Sequence, residues 1–268
     1  KHEVAGSIHY FMLSSFRFKL VLRPTQIDKA NVHQASLYHG WLMQQIPREL
    51  SQQMHQEQHP LFSQYLIKDK ARIEWHIHTW NNQLGLELKK IFAVNNSVYL
   101  EHLQLELKVE GYQVATQEEA DLISHYAFSQ DTKKYLTIEF LTPTSFKSQG
   151  RYLNYPTPRF IIQSALNRVD QNIDAVAFFD KETFAELLAS CYINRYNLHS
   201  TYFSLEGTKI NGFIGKVELA CNGPKQLQSF LKLLFKLTEY TGLGAKTALG
   251  MGAIKVSDNY FYRKESLT

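Results

Sequence analysis

Residues 241–256 read TGLGAKTALGMGAIKV and hold four of the chain's 13 glycines, Gly242, Gly244, Gly250 and Gly252, around a Lys246–Thr247 pair. Glycines bare their backbone N–H groups and the lysine adds a positive charge, which is the chemistry of a phosphate cradle. Neither common cradle fits. A Walker A loop needs glycine directly before its Lys-Ser/Thr pair and another five residues earlier, where this chain has Ala245 and Tyr240. A dinucleotide fingerprint starting at Gly242 needs glycine where Thr247 stands. Both also rest the phosphate on the N-terminus of a following helix. Here a helical pattern (Leu227, Phe230, Leu231, Leu234, Leu237) precedes the loop and a short strand-like run, MGAIKV, follows it. Two readings stay open. Lys246 and the glycine amides grip an extended polyanion, or the glycines make a tight helix-to-strand turn.

The histidines offer proton transfer near neutral pH. His55 and His59 sit in HQEQH, but a zincin carries Glu directly after its first His and this chain has Gln56, so no metal site is expected. His76 and His78 share one face of a strand between Trp75 and Trp80, either touching a ligand or partly buried. Cys191 and Cys221 form no CxxC, which argues for a reducing, cytoplasmic setting and for at most a chance approach of two buried thiols.

The 268 residues are 44% hydrophobic and 20% charged, enough for one large domain or two small ones with ample core. No apolar run approaches the roughly 20 residues that span a bilayer, and the start, KHEVAGSIHYFML, does not read as a signal peptide. The net charge of +4 is unevenly spread: residues 1–140 hold 14 basic and 15 acidic side chains, residues 141–268 hold 15 and 10. Leu141 to Val169 is acid-free yet carries Lys147, Arg151, Arg159 and Arg168, and Tyr240 to Ser257 is acid-free with Lys246 and Lys255. Two such stretches in one half describe a polyanion-binding face, or an ordinary solvated basic surface.

The elements that must position these residues follow one plan twice. SFRFKLVL reads as a strand, VHQASLYHGWLMQQI as a helix closed by Pro47, and LFSQYLIK and ARIEWHIHTW as strands about a turn at Lys68–Lys70. NQLGLELKKIFA reads as a helix and VYLEHLQLELKVEGYQV as a long strand or bent hairpin arm. A short helix, QEEADLISHYAF, leads to the second round: KKYLTIEFL, the helices PRFIIQSALNRV and KETFAELLASC, the strands YNLHSTYFSLEG and KINGFIGKVELAC, the helix KQLQSFLKLLFKL and a last strand GMGAIKV. The expected fold class is α+β, with tandem ferredoxin-like (βαββαβ, RRM-like) domains whose antiparallel sheets carry helices on one face and leave the other open. The expected division is an N-terminal extension over 1–14, one ferredoxin-like domain over 15–131 and a second over 132–268.

With that topology, three segments resemble the CRISPR-associated pre-crRNA-processing endoribonucleases: the glycine loop before the final strand; FLTPTSFKSQGRYLNYPTPRFIIQSALNR, residues 140–168; and LSQQMHQEQHPLFSQYLI, residues 50–67. The resemblance runs from about Phe16 onward. It implies an enzyme that cuts repeat RNA without metal or cofactor, by attack of a ribose 2′-OH on the adjacent phosphate. The matching catalytic histidine is His55, with His39 and its neighbour Tyr38 on the first helix as further candidates; Met43 and Pro60 stand where some members carry Tyr and Lys. Gly242, Gly244, Lys246, Thr247 and Gly250, with Lys147, Arg151 and Arg159, would hold RNA. The implied partners are CRISPR repeat RNA (pre-crRNA) and CRISPR effector or adaptation proteins, with no membrane, and a monomer or homodimer. The alternatives are a non-cleaving RNA-binding subunit of the same machinery and a small-molecule-binding ferredoxin-like protein, against which the acid-free basic stretches argue.

Overall fold

The structure is a computed structural model that describes residues 11–57, 60–127, 129, 133–173 and 180–258. Strand β1 (Met12–Val21) alternates as its sequence does: Phe16, Phe18 and Leu20 are fully buried while Arg17 and Lys19 point the other way. Two short 3₁₀ turns, the second capped by Asn31, lead into α1 (Ala35–Gln45), and α2 (Arg48–Glu57) follows Pro47. β2 (Phe62–Asp69) and β3 (Arg72–Thr79) form a hairpin turned at Lys70, which adopts a left-handed φ of 50°. Helix α3 (Asn82–Val94) is capped by the Asn81 side chain. The long arm resolves into two strands, β4 (Ser97–Leu100) and β5 (Leu105–Glu118), followed by α4 (Glu119–Ala127).

The second round begins with β6 (Tyr135–Thr144). A hairpin that the sequence pattern does not reveal follows, β7 (Phe146–Ser148) and β8 (Arg151–Leu153). Its two-residue turn, Gln149 at φ 49° and Gly150 at φ 76°, has the paired positive φ values that match strand twist. Helix α5 (Pro158–Asn172) starts from a Thr157 cap with proline in its first turn, and α6 (Lys181–Ser190) from an Asp180 cap. Strands β9 (Cys191–Leu205) and β10 (Thr208–Cys221), helix α7 (Lys225–Thr241) and β11 (Ile254–Ser257) complete the described residues. Among them, no helix is long and apolar enough to cross a membrane.

The class is α+β with antiparallel sheets, as expected. One sheet has the order β2-β3-β1-β5-β4 and the other β11-β6-β10-β9; every strand pair in both is antiparallel. Three expectations shift. The first strand begins at Met12, inside the supposed extension, because Leu13 has a core to enter. The last begins at Ile254, since Gly250 and Gly252 hold positive φ and belong to the loop. The second face of the first sheet is not left open along its whole length. Leu13 and Trp80 join the core that holds Leu122 of α4 and Leu227, Leu231 and Leu234 of α7. Cys191 and Cys221 stand opposite each other where β9 meets β10, both free and buried.

His76 and His78 pack under this cover. Tyr65 stacks on both, at 4.5 and 5.9 Å between ring centroids, and His78 meets Tyr240 of α7 edge-on at 5.7 Å. Burial, with His76 close by, pushes the His78 pKa down to about 3. A histidine held neutral in the fold but free to protonate when unfolded supports stability fully above about pH 6.5, and that support is lost as pH falls toward 3. The urea midpoint should therefore drop between pH 7 and pH 4, and drop less steeply in His78→Gln. Equal slopes for the two proteins would contradict this burial.

Candidate nucleic-acid interface at the glycine loop

The glycine loop lies where the two halves meet. Its first four amides are all used inside the protein: Gly242 N–H donates to Thr238 O (2.8 Å), Leu243 N–H to Gly252 O (2.8 Å), Gly244 N–H to Ser164 Oγ (2.8 Å) and Ala245 N–H to Ser145 O (2.9 Å). Gly244 has φ +82°, and a Cβ there would stand 2.5 Å from Ser145 O. Gly250 has φ +107°, and a Cβ there would meet the Ala35 Cβ of α1 at 2.4 Å. These glycines are needed for left-handed backbone and for close approach to β6 and α1. Their role is that of a tight turn, and the front half of the loop has no spare amides for phosphate.

Two polar side chains, Gln64 buried and Arg168 half-buried, fasten the loop. Gln64, 1% exposed on β2, donates from Nε2 to Ala35 O (2.9 Å) and Ala248 O (2.8 Å), and its Oε1 accepts from Trp75 Nε1 (2.6 Å). Arg168 of α5 donates to Thr241 O (2.9 Å) and to the buried Thr247 hydroxyl. Burial pulls the Arg168 pKa down to about 10, leaving the guanidinium charged at neutral pH. Ala248 and Met251 then complete the core that holds Phe16, Tyr38 and Trp75, joined by Phe203 and Ile210 from β9 and β10.

The expected site residues divide accordingly. Lys246 is exposed, on a left-handed backbone of φ 60°. Lys147 is exposed on β7 and lines, with Gly244, a groove of about 500 Å³ between the β7–β8 hairpin and α5. Arg151 is exposed on β8. Arg159 turns toward α6, its guanidinium 5.6 Å from the Phe184 ring centre, and does not line the groove. Thr247 and Gly250 are buried fastenings rather than contact surface. Tyr38 must be withdrawn as a catalytic group: its phenol is fully buried against Trp75, and burial raises its pKa. His39 lies on α1 with its ring stacked on Phe62 at 5.6 Å. His55 falls on α2, whose backbone is described, but its side chain lies outside the described residues, as does His59.

A family model described as CRISPR-associated endoribonuclease Cas6 matches residues 138–254. The Cas6 of Streptococcus thermophilus is 32% identical over 247 residues, covering 90% of this chain and 98% of that protein. The chain belongs to the Cas6 family. The Cas6 of Mycobacterium tuberculosis is 28% identical over 228 residues, 81% of this chain and 70% of that one. Among solved structures, Thermus thermophilus Cas6 has a TM-score of 0.69 at 20% identity, covering 93% of this chain and all of that one. A Cas6 product complex has a TM-score of 0.72 at 18% identity, covering 92% and 99%. These two likenesses speak for the fold.

The family match begins within β6 and ends at the first residue of β11, so it contains the loop and all its fastenings on the second half. Two fastenings do not stand out in the sequence as such. Gln64 stands between Phe62 and Leu66 at inward strand parity, a signal that is present. Arg168 reads as surface charge, although it follows the buried Ile161 and Ala165 at helical spacing. For this Cas6 chain the turn makes a sharp demand. Gly244→Val should lower the melting midpoint by several degrees, since strained left-handed backbone alone costs on the order of 1–3 kcal/mol. An unchanged thermal midpoint would show that the loop is not tied to Ser145 as described.

Proposed function

We propose that this Cas6-family chain binds CRISPR repeat RNA in the cytoplasm and cuts it without a metal, through two ferredoxin-like halves joined at the glycine loop. The observation that carries this reading is the Gln64 junction, which packs the helix-and-hairpin region around His39 and His55 against the loop bearing Lys246. The strand orders support the tandem plan. Each has its first and third strands central, the order expected of a split βαβ sheet, and the first sheet adds β4 at one edge.

In the proposed reaction the 2′-OH loses its proton and its oxygen attacks the neighbouring phosphorus. The bond from phosphorus to the 5′-oxygen breaks, and that oxygen takes up a proton. The products are a 2′,3′-cyclic phosphate and a 5′-OH. A histidine can make either proton transfer, and positioned acid–base groups typically contribute about 10²–10⁴-fold. His55 is the assignment, with His39 second. Lys246 and Lys147 hold phosphates, an interaction that positions RNA without reading it.

Labelled repeat RNA incubated with EDTA should be cut once, leaving a cyclic phosphate. Tight binding without cutting would support the non-cleaving subunit instead. His55→Ala should abolish cutting with affinity nearly intact; cutting at the wild-type rate would move the assignment to His39. Lys246→Gly removes the charge while suiting the left-handed backbone. It should weaken binding of many RNAs alike and reduce the salt dependence of log K by about 0.7–0.9 for each phosphate no longer neutralised, with no loss of thermal stability. An unaltered salt dependence would remove Lys246 from the phosphate-holding residues.

A further inference from the structure

The groove beside the loop is built for more than charge. Along α5 its wall carries Gln163, Asn167 and Gln171, spaced i, i+4, i+8 and so aligned on one helix face. Gln163 is half-buried and the other two are exposed, and none of the three amides is hydrogen-bonded among the described residues. The facing hairpin contributes Lys147 and Gln149, and among the described residues no acidic side chain lines the groove. Phe160 lines one end, stacked on Phe146 at 5.8 Å, with the exposed Tyr155 against its edge at 6.4 Å. Arg168 also lines the groove, with a buried Nε–H that has no hydrogen-bond partner among the described residues.

Three neutral amides add little general attraction for a polyanion. Each presents a donor and an acceptor side by side, the pattern that matches the edge of a base. They stand about 6 Å apart along the helix, nearly twice the ~3.4 Å rise of stacked bases. That spacing suits bases that are splayed and unpaired, the form in which RNA sequence is read, because the A-form major groove excludes side chains. The aromatic end offers a face for stacking. Lys147 and the neighbouring Lys246 would hold the strand while the amides discriminate.

We propose that this groove is a base-reading site for an unpaired stretch of RNA, with Gln163, Asn167 and Gln171 as the specificity-determining residues. The proposal rests on the RNA-binding reading above. Its test is a binding panel: repeat RNAs altered one unpaired nucleotide at a time, titrated at two salt concentrations against the unmodified protein, Gln163→Ala, Asn167→Ala, Gln171→Ala and the triple variant. Melting midpoints are measured alongside. The unmodified protein should discriminate roughly 5- to 150-fold at a few nucleotides. Each single variant should lose discrimination at one of them and keep its salt dependence. The triple variant should bind all members of the panel nearly alike and melt as the unmodified protein does. If the variants weaken every RNA equally, or keep the original base preference, the groove does not read bases; an unaltered preference would leave it open to a protein partner. If the unmodified protein binds no repeat RNA, the functional reading itself falls, and this inference with it.

Discussion

The structure turns on one buried amide. Gln64 sits on a strand among phenylalanine, tryptophan and leucine, where an unpaired polar group would cost about 1–3 kcal/mol. It is tolerated because its side chain is engaged at both ends: two backbone carbonyls accept from its Nε2 and the Trp75 indole donates to its Oε1. One of those carbonyls, Ala35 O, begins helix α1; the other, Ala248 O, belongs to the glycine loop 213 residues further on. A fully satisfied buried network of this kind specifies a single arrangement, and here it specifies how one half of the chain meets the other.

The remaining features of the junction follow from that constraint. For Ala248 to reach Gln64 the loop must double back from α7, which demands left-handed backbone at Gly242, Gly244, Lys246, Gly250 and Gly252. The returning loop presses Gly250 on Ala35, and Arg168 closes it from the far side through Thr241 and Thr247. With its front amides bonded to Ser164 and Ser145, the loop presents Lys246 outward and lines the groove along α5 with Gly244 and Ala245. The backbone of the loop is thus scaffold, and the side chains around it are what the junction offers to solvent.

Much of this is legible in the sequence. Period-two alternation locates the strands of both halves, and helical spacing locates α1, α3, α5 and α7, because in each the apolar positions match the face that is buried. Both readings of the glycines are visible there too, but choosing between them requires knowing where the amides go, which only the fold shows. The β7–β8 hairpin escapes a pattern-based reading because its strands are three residues each, too short for a period to register. Tyr38 looks like a reactive neighbour of His39. A phenol on a helix can face either way, and here Trp75 and the first core claim it. The amides of α5 carry no charge, and although Gln163 and Asn167 fall within the 140–168 segment, their alignment with Gln171 along one groove becomes visible only in the fold.

The central claim is that the glycine loop is a folded joint between the halves rather than a flexible cradle that orders on binding RNA. Native-state hydrogen exchange on the RNA-free protein reads this directly at the amides of Leu243, Gly244 and Ala245. Their opening free energy should match that of core amides in β6, since opening them means detaching the loop from Ser145, Ser164 and Gly252 of the second half. Exchange as fast as at the exposed Gln149–Gly150 turn, with the cores still protected, would contradict it.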